Sequence, residues 1–270
     1  MPAPASVTYF SALPRKSVRV TPAVQSLDRG LSILEAVGHA SEPVTLKELT
    51  ALLGIDRSNA FRLANTLRQR RFLAHPEGRG EYVLGPSAWR LARGYGRSRL
   101  IALCHDHVRA LAEKTGETAH LGVREGSHVL FLDHHVAEGQ MVTVAGQTGQ
   151  YLPLYNTAHG KALLADCGLA DLKGIFAGVP LHAATRRTIV SLDRLAVVCA
   201  RIRADGIAID DRESLDEIRC VAAPVRDPEG RIVASVGISA PISRFPQKRF
   251  ATAGRQASET AKAISGVLAG

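Results

Sequence analysis

The 270-residue chain has no apolar run approaching the roughly 18 residues that a membrane-spanning helix needs. Its first twenty or so residues mix Pro, Ser, Arg and Lys where a signal peptide would carry an apolar stretch, so a cytoplasmic protein without a membrane partner is expected. Cysteine is scarce. Cys104, Cys167, Cys199 and Cys220 stand far apart with no CxxC pair, which argues against a disulfide framework or a zinc knuckle and leaves reduced thiols as the expectation. Neither GxGxxG nor GxxxxGK(S/T) follows a strand pattern, so nucleotide cofactors are not expected. HExxH and His-x3-His are also missing, and the adjacent His134 and His135 would point to opposite faces of a strand. No metal site is expected, for these or for His105 and His107.

What the chain does have is a core and an uneven charge. Hydrophobic residues make up 46% of it, and its length allows two ordinary domains. Residues 1–99 hold 15 Lys/Arg against 7 Asp/Glu, whereas residues 100–270 hold the remaining 19 against 18, so nearly all of the net charge of +9 sits in the first third. A basic module attached to a near-neutral one is the footprint of a polyanion-binding domain joined to a domain with another task.

Residues 1–22 carry Pro2, Pro4, Pro14 and Pro22 and no amphipathic period, and read as a flexible arm whose Arg15, Lys16 and Arg19 can add phosphate contacts. Val24, Leu27, Leu31, Leu34 and Val37 recur at helical steps and predict a first helix with one buried stripe. Thr45 and Glu48 form a capping-box pattern for a second helix over Leu46 to Leu53. Gly54 permits a tight turn, and Asp56 or Ser58 can cap a third helix running to about Arg71. Two helices joined by a short glycine-containing turn are the helix-turn-helix signature.

In that third helix Ala60, Leu63, Ala64 and Leu67 share one side, leaving Ser58, Arg62, Asn65, Thr66 and Gln69 on the other, flanked by Arg57, Arg68, Arg70 and Arg71. These side chains can hydrogen-bond base edges and phosphates, and no acid follows Asp56 in the helix. Phe72 to Ala74 and Glu81 to Leu84 read as two short strands around a turn-rich loop, a wing whose tip residue Arg79 can reach a phosphate.

Pro86 suits the start of a helix, and apolar positions from Trp89 to Ala112 extend the helical pattern to about Thr115, with Gly94 and Gly96 breaking it. The boundaries expected are therefore an arm over 1–22, a winged helix-turn-helix over 23–85, a linker helix over 86–98 and a second domain over 99–270. Reading palindromic half-sites needs two helix-turn-helix units, so a homodimer or homotetramer is expected, with Trp89 at a dimer contact.

Beyond residue 116 short strand-like runs at 119–123, 129–132, 141–144, 207–209, 220–225 and 232–239 alternate with helical stretches at 158–166, 170–176, 192–204 and 247–268. Most of these strands are joined by turns, which favours a largely antiparallel sheet in an α+β protein. Two segments stand out. One runs from a loop into a helix over Gly149 to Ala165, where the free amides near Ala158 to Gly160 can attract a carboxylate. The other, Asp205 to Glu213 and Ile218 through Ser239, sets an acid, a thiol and a hydroxyl at strand ends.

The order of helix, helix-turn-helix and wing, with Gly54-Ile55-Asp56-Arg57-Ser58-Asn59, Phe61-Arg62 and Tyr82-Val83-Leu84-Gly85, resembles the DNA-binding domain of the IclR family of bacterial regulators. Leu152-Pro153 through Thr157-Ala158-His159-Gly160-Lys161-Ala162-Leu163-Leu164-Ala165 and Cys220-Val221-Ala222-Ala223-Pro224-Val225 resemble that family's effector-binding domain, so the resemblance covers about residues 24–265. It implies a winged helix-turn-helix followed by a GAF-like α/β domain. The expected function is a transcriptional regulator, a repressor or a dual regulator, that binds a palindromic double-stranded DNA operator and answers a small carboxylate or aromatic effector. DNA contacts are expected from Arg57, Ser58, Asn59, Arg62, Asn65, Thr66 and Arg79. Position by position, the resemblance assigns the effector to Leu154, Ala158, His159, Asp210, Cys220 and Ser239. His159 stands where small or apolar residues are common, and Gly237 where some members have a hydroxyl.

Competing readings use the same residues. An enzyme would pair Cys220 with one of His120, His134, His135 or His159, but no spacing brings them together, and a cysteine is often a small buried hydrophobe. A redox sensor would need Cys220 exposed with a depressed pKa. A non-enzymatic regulator is the expectation.

Overall fold

The computed structural model describes residues 24–40, 42–76, 80–93, 97–139 and 148–269, and it divides into two compact units with the chain passing from one to the other between Arg99 and Leu100. The expected arm, the wing-tip Arg79 and the strand over 141–144 lie outside the described residues.

The amino-terminal unit runs α1 (Gln25–His39), β1 (Val44–Thr45), α2 (Leu46–Leu53), α3 (Arg57–Gln69), β2 (Leu73–Ala74), β3 (Glu81–Leu84) and α4 (Pro86–Arg93). The three strands form an antiparallel sheet in the order β1-β3-β2. Its core gathers Ile33, Val37, Leu49, Ala64, Leu73 and Tyr82. The capping box at α2 is formed: the Glu48 amide donates to Thr45 Oγ1 at 3.3 Å and the Thr45 amide to Glu48 Oε2 at 2.7 Å. Gly54, at φ +59°, then makes the left-handed turn into α3, which Asp56 caps through the Asn59 amide.

The stripe expected on α1 is not the buried one. Val24, Leu27 and Leu31 are 66%, 62% and 50% exposed, and burial falls on Ile33 and Val37 with Leu34 partly covered. Helical periodicity shows that residues share a face, whereas the reach of the rest of the unit decides which face is covered.

At the far end of α3, Arg71 takes a left-handed conformation (φ +61°), with the Phe72 amide donating back to the Leu67 carbonyl. The Arg71 carbonyl accepts from the Ser87 amide at 2.9 Å and so holds α4. A Cβ on Gly85 would lie 2.4 Å from that same oxygen. Gly85→Ala is therefore expected to lower the stability of this unit by about 2–3 kcal/mol, read as a lower urea midpoint of the transition followed by the single tryptophan, Trp89, on α4.

The carboxy-terminal unit contains α5 (Ser98–Thr115), β4 (Thr118–Glu125), β5 (His128–His135), β6 (Tyr151–Pro153), α6 (Ala158–Leu163), α7 (Leu169–Ile175), α8 (Leu192–Asp205), β7 (Ala208–Asp211), β8 (Ile218–Arg226), β9 (Ile232–Pro241) and α9 (Phe250–Ala269). The helical pattern that begins at Pro86 is seen over Pro86–Arg93 and Ser98–Thr115, and residues 94–96, with the expected breakers Gly94 and Gly96, lie outside the described residues. The six strands make one antiparallel sheet in the order β6-β5-β4-β9-β8-β7. Alternation along the strands separates its faces. Leu121, Val221, Ala223, Val236 and Ile238 pack with Val108 and Leu111 of α5 and Ala257 and Ala261 of α9. Cys220 and Ala222 point the other way and pack with Ala158 and Ala162 of α6.

Two elements differ from the sequence reading. Tyr151 to Pro153, read as loop, forms strand β6 at the sheet's edge, where a proline interrupts no inner ladder. Helix α6 stops at Leu163, short of Asp166, because the following amides of Ala165 and Cys167 turn back three residues to Ala162 and Leu164.

Candidate nucleic-acid interface and ligand site

On α3 the structure exposes Arg57, Ser58, Asn59, Phe61, Arg62 and Thr66 and half-buries Asn65, opposite the buried Ala60 and Ala64. Their polar atoms are not equally available. The Asn59 amide nitrogen donates to Asp56 Oδ2 at 2.6 Å, Asn65 Oδ1 accepts from Arg68 at 2.8 Å, and the Thr66 hydroxyl donates to the Arg62 carbonyl at 2.8 Å. Phe61, half exposed among these groups, is a surface the sequence reading did not select. An apolar ring at such a place suits a thymine methyl group.

In the carboxy-terminal unit, strand register assembles the second set. Asp210 of β7 pairs with Cys220 of β8, Cys220 with Ser239 of β9, and Ser239 with Thr118 of β4, so four side chains form one row across four strands. The next row on the same face is Ala208, Ala222, Gly237, His120 and His134. Gly237 is where it is for packing: a Cβ there would lie 2.2 Å from the Val221 carbonyl oxygen. Helix α6 lies over these rows with all six residues buried, and Gly160 lets its backbone approach that of Leu154.

Of the six ligand residues named from the sequence, Asp210, Cys220 and Ser239 share the row, Ala158 packs on Cys220, and His159 stands over the neighbouring row. The Leu154 side chain instead joins a separate apolar cluster with Val129, Phe131 and Leu164. Cys220 and Ser239 keep 8% and 7% of their surface accessible. The residues the sequence did not mark for this site are Thr118, Lys161 and Glu213, and His120 was raised only as a partner for Cys220 in an enzyme; strand register brings in Thr118 and His120, and the fold of α6 and of the loop after β7 brings in Lys161 and Glu213.

Lys161 is among the largest fully buried side chains of the described residues, at 1% exposure, and its ammonium pairs with Glu213. Asp210 Oδ1 accepts from the Glu213 amide at 2.6 Å and Oδ2 from the Ser214 hydroxyl at 2.5 Å, which shapes the loop that carries Glu213. The hydroxyls of Thr185 and Thr188 fasten the same loop by donating to the carbonyls of Arg212 and Glu213 at 2.7 Å each. Burial raises the Asp210 carboxyl and, with Asp210 beside it, pushes the Cys220 thiol well above its usual range. Cys220 is thus a protonated thiol, the opposite of what redox sensing or nucleophilic catalysis requires. The six-residue α6 also offers less to an anion than its sequence suggests, since Thr157 Oγ1 already accepts from the Gly160 amide at 3.1 Å.

Breaking a buried ion pair from one side leaves a desolvated charge. Lys161→Met is expected to cost about 3–5 kcal/mol of unfolding free energy in urea, and the double variant Lys161→Met/Glu213→Met to recover most of it.

The two imidazoles buried under α6, His120 and His159, are neutral. Burial lowers His159 to about 3 and His120 well below 6.5, with His159 and His134 adding repulsion at His120. Rings of Phe131 and His120, and of Phe131 and His159, lie 5.1 Å apart, and His120 meets His159 edge-on at 5.9 Å. Thr118 Oγ1, His120 Nδ1, Asn156 Oδ1 and His159 Nε2 are buried without a hydrogen-bond partner among the described residues. No cluster of three or more metal-ligating residues occurs among the described residues.

Because each histidine binds its proton more weakly when folded, its contribution to stability is present above about pH 6.5 and is lost as pH falls below that, towards 3 for His159. The loss is about 1.4 kcal/mol per pH unit for each histidine. Comparing unfolding free energies at pH 7 and pH 5, His159→Gln is expected to shrink the acid-induced loss by about 2 kcal/mol.

Residues 95–266 match the family described as "Bacterial transcriptional regulator IclR C-terminal", and residues 26–77 match the IclR helix-turn-helix domain. The chain is 31% identical to the transcriptional repressor IclR of Escherichia coli (strain K12) over 244 residues, covering 90% of this chain and 89% of the relative. It is 32% identical to the acetate operon repressor of Salmonella typhimurium over 248 residues, covering 91% and 90%. Among solved structures, Thermotoga maritima IclR is similar at a TM-score of 0.75 and 27% identity, covering 90% of this chain and 98% of that one.

Proposed function

The chain belongs to the IclR family of DNA-binding transcriptional regulators, not enzymes, and from that premise we propose that it is a repressor or dual regulator that binds a palindromic operator and answers a small organic or aromatic acid. Arg57, Ser58, Asn59, Arg62, Asn65 and Thr66 meet the DNA, with Arg79 on a neighbouring phosphate. Arg57 and Arg62 contribute charge and base-edge donors, whereas the internal bonds of Asn59, Asn65 and Thr66 make these residues also the struts that hold the helix surface. The effector lies under α6 against Ala158, His159, Asp210, Cys220 and Ser239, with Leu154 behind. The observation that carries this reading is the row Asp210–Cys220–Ser239–Thr118, a line of polar side chains enclosed by a helix and edged by unpartnered buried atoms.

The protein works as a homodimer or a homotetramer. What supports this is exposed apolar surface: Val24 at the cap of α1, Leu27 and Leu31 on that helix, and Leu91, 67% exposed, on α4. No helix among the described residues is long and apolar enough to cross a membrane, which accords with a cytoplasmic regulator.

Arg62→Ala is expected to weaken operator binding about 10-fold or more in fluorescence anisotropy at fixed salt, while the effector's affinity stays the same. Unchanged DNA affinity would remove Arg62 from the reading face. A thermal-shift screen of small carboxylic and aromatic acids identifies the effector, and a hit whose shift survives Ser239→Ala undiminished moves the site elsewhere.

A further inference from the structure

His159 is held in one orientation by what surrounds it. Its Nδ1 lies 3.0 Å from Ser235 Oγ, and that hydroxyl in turn reaches the Gly122 carbonyl at 3.4 Å as donor. Ser235 therefore meets the imidazole as an acceptor. Nδ1 consequently carries the single proton of the neutral ring, leaving Nε2 as a bare lone pair. Gly122 lies beside this seat: a Cβ there would come 2.6 Å from Val129 Cγ2 and 3.3 Å from Ser235 Oγ. With Nδ1 tethered, Nε2 is on the opposite side of the ring, buried and without a partner.

A buried acceptor with nothing to accept is costly, by an amount close to the desolvation of the group, so its natural complement is a donor that arrives with a ligand. A carboxylate cannot be that complement, since it only accepts. Charge does not help a carboxylate here either: the imidazole is uncharged, and the Lys161 ammonium is engaged by Glu213. A hydroxyl fits. It can donate to His159 Nε2 and still accept from a neighbour, and Thr118 Oγ1 and His120 Nδ1, on the strand beneath, are also without partners.

Taking the site under α6 as the effector site, on which this inference rests, we infer that the effector donates a hydroxyl proton to His159 Nε2, so that His159 selects hydroxyl-bearing ligands over their deoxygenated or O-methylated counterparts. Any acidic group of the effector then faces away from His159. Discrimination of this kind is strong because the wrong ligand leaves the buried nitrogen unpaired.

The test uses the full-length protein labelled with ¹⁵N-histidine and the matched pair phenol and anisole, which differ only in the hydroxyl proton and its methyl replacement. In the free protein the His159 Nε2 resonance is expected at the position of a bare imidazole nitrogen. Phenol should shift it towards that of a hydrogen-bonded nitrogen, anisole should not, and phenol should bind about 10- to 100-fold more tightly. In His159→Phe, which keeps a ring but removes the acceptor, the two affinities should converge. His159→Gln, which restores an acceptor, should keep part of the preference.

Equal binding of phenol and anisole by the wild-type protein, with both perturbing the amides of Cys220 and Ser239, overturns the inference and leaves the site in place. An Nε2 that carries the proton, or that is already bonded by a resident water and does not move with phenol, also overturns it. If neither probe perturbs Cys220 and Ser239, the effector-site reading falls and takes this inference with it.

Discussion

A lysine ammonium buried beneath a helix has to be answered by an anion, and much of the carboxy-terminal unit is arranged around that requirement. Lys161 occupies the middle of α6, and Gly160 before it brings the helix backbone onto Leu154, so the ammonium has no route to water. Glu213 supplies the counter-charge from the loop after β7. That loop holds its shape because Asp210 accepts from two groups within it and because Thr185 and Thr188 fasten it from the segment between α7 and α8. One buried charge thus determines where α6 lies, where the loop turns, and that Asp210 is a structural acceptor before it is anything else. Its part towards a ligand is limited by the bonds it already makes.

The same burial separates two kinds of polar group on one face of the sheet. Those around Lys161 hold the frame, with the ammonium paired to Glu213 Oε1, although Glu213 Oε2 is buried without a partner among the described residues. Those around His120 and His159 are neutral and incompletely bonded, and such groups remain in a folded protein where something other than the fold completes them. The aromatic edges of Phe131, His120 and His159 enclose this second group, and the register of β4, β9, β8 and β7 places it beside the thiol and hydroxyl of Cys220 and Ser239.

What could be read from the sequence was what is local. The capping box at Thr45 and Glu48, the left-handed Gly54 and the two-sided composition of α3 are encoded within a few residues, and the structure has each of them. Asp210, Cys220 and Ser239 could be named through a family resemblance, but that they form one row depends on strand pairings that join residues 10 and 19 positions apart, and Thr118, more than 90 residues from Asp210, completes it. Thr118 and His120 look like any other strand residues until the register is known. Lys161 was quoted within a motif, yet nothing around it in sequence announces burial, since its partner lies 52 residues on. The exposed stripe on α1 was misread for a related reason: an apolar face is a local property, whereas its cover is not.

The site also lies one sheet thickness from the helix through which the chain leaves the amino-terminal unit. Consecutive residues of β5 serve opposite faces by ordinary strand alternation: Asp133 pairs with His105 of α5 at 2.9 Å, while the His134 ring stacks on His120. Beside Thr118, Glu117 is buried between Arg244 and Arg249, and Arg249 also donates to the Thr115 carbonyl at the end of α5. A ligand that moves Thr118 or His120 therefore moves strands whose next residues hold α5 at its middle and at its end. Coupling in such a structure needs no long relay, because strand residues one apart already touch the ligand face and the helix face of the same sheet.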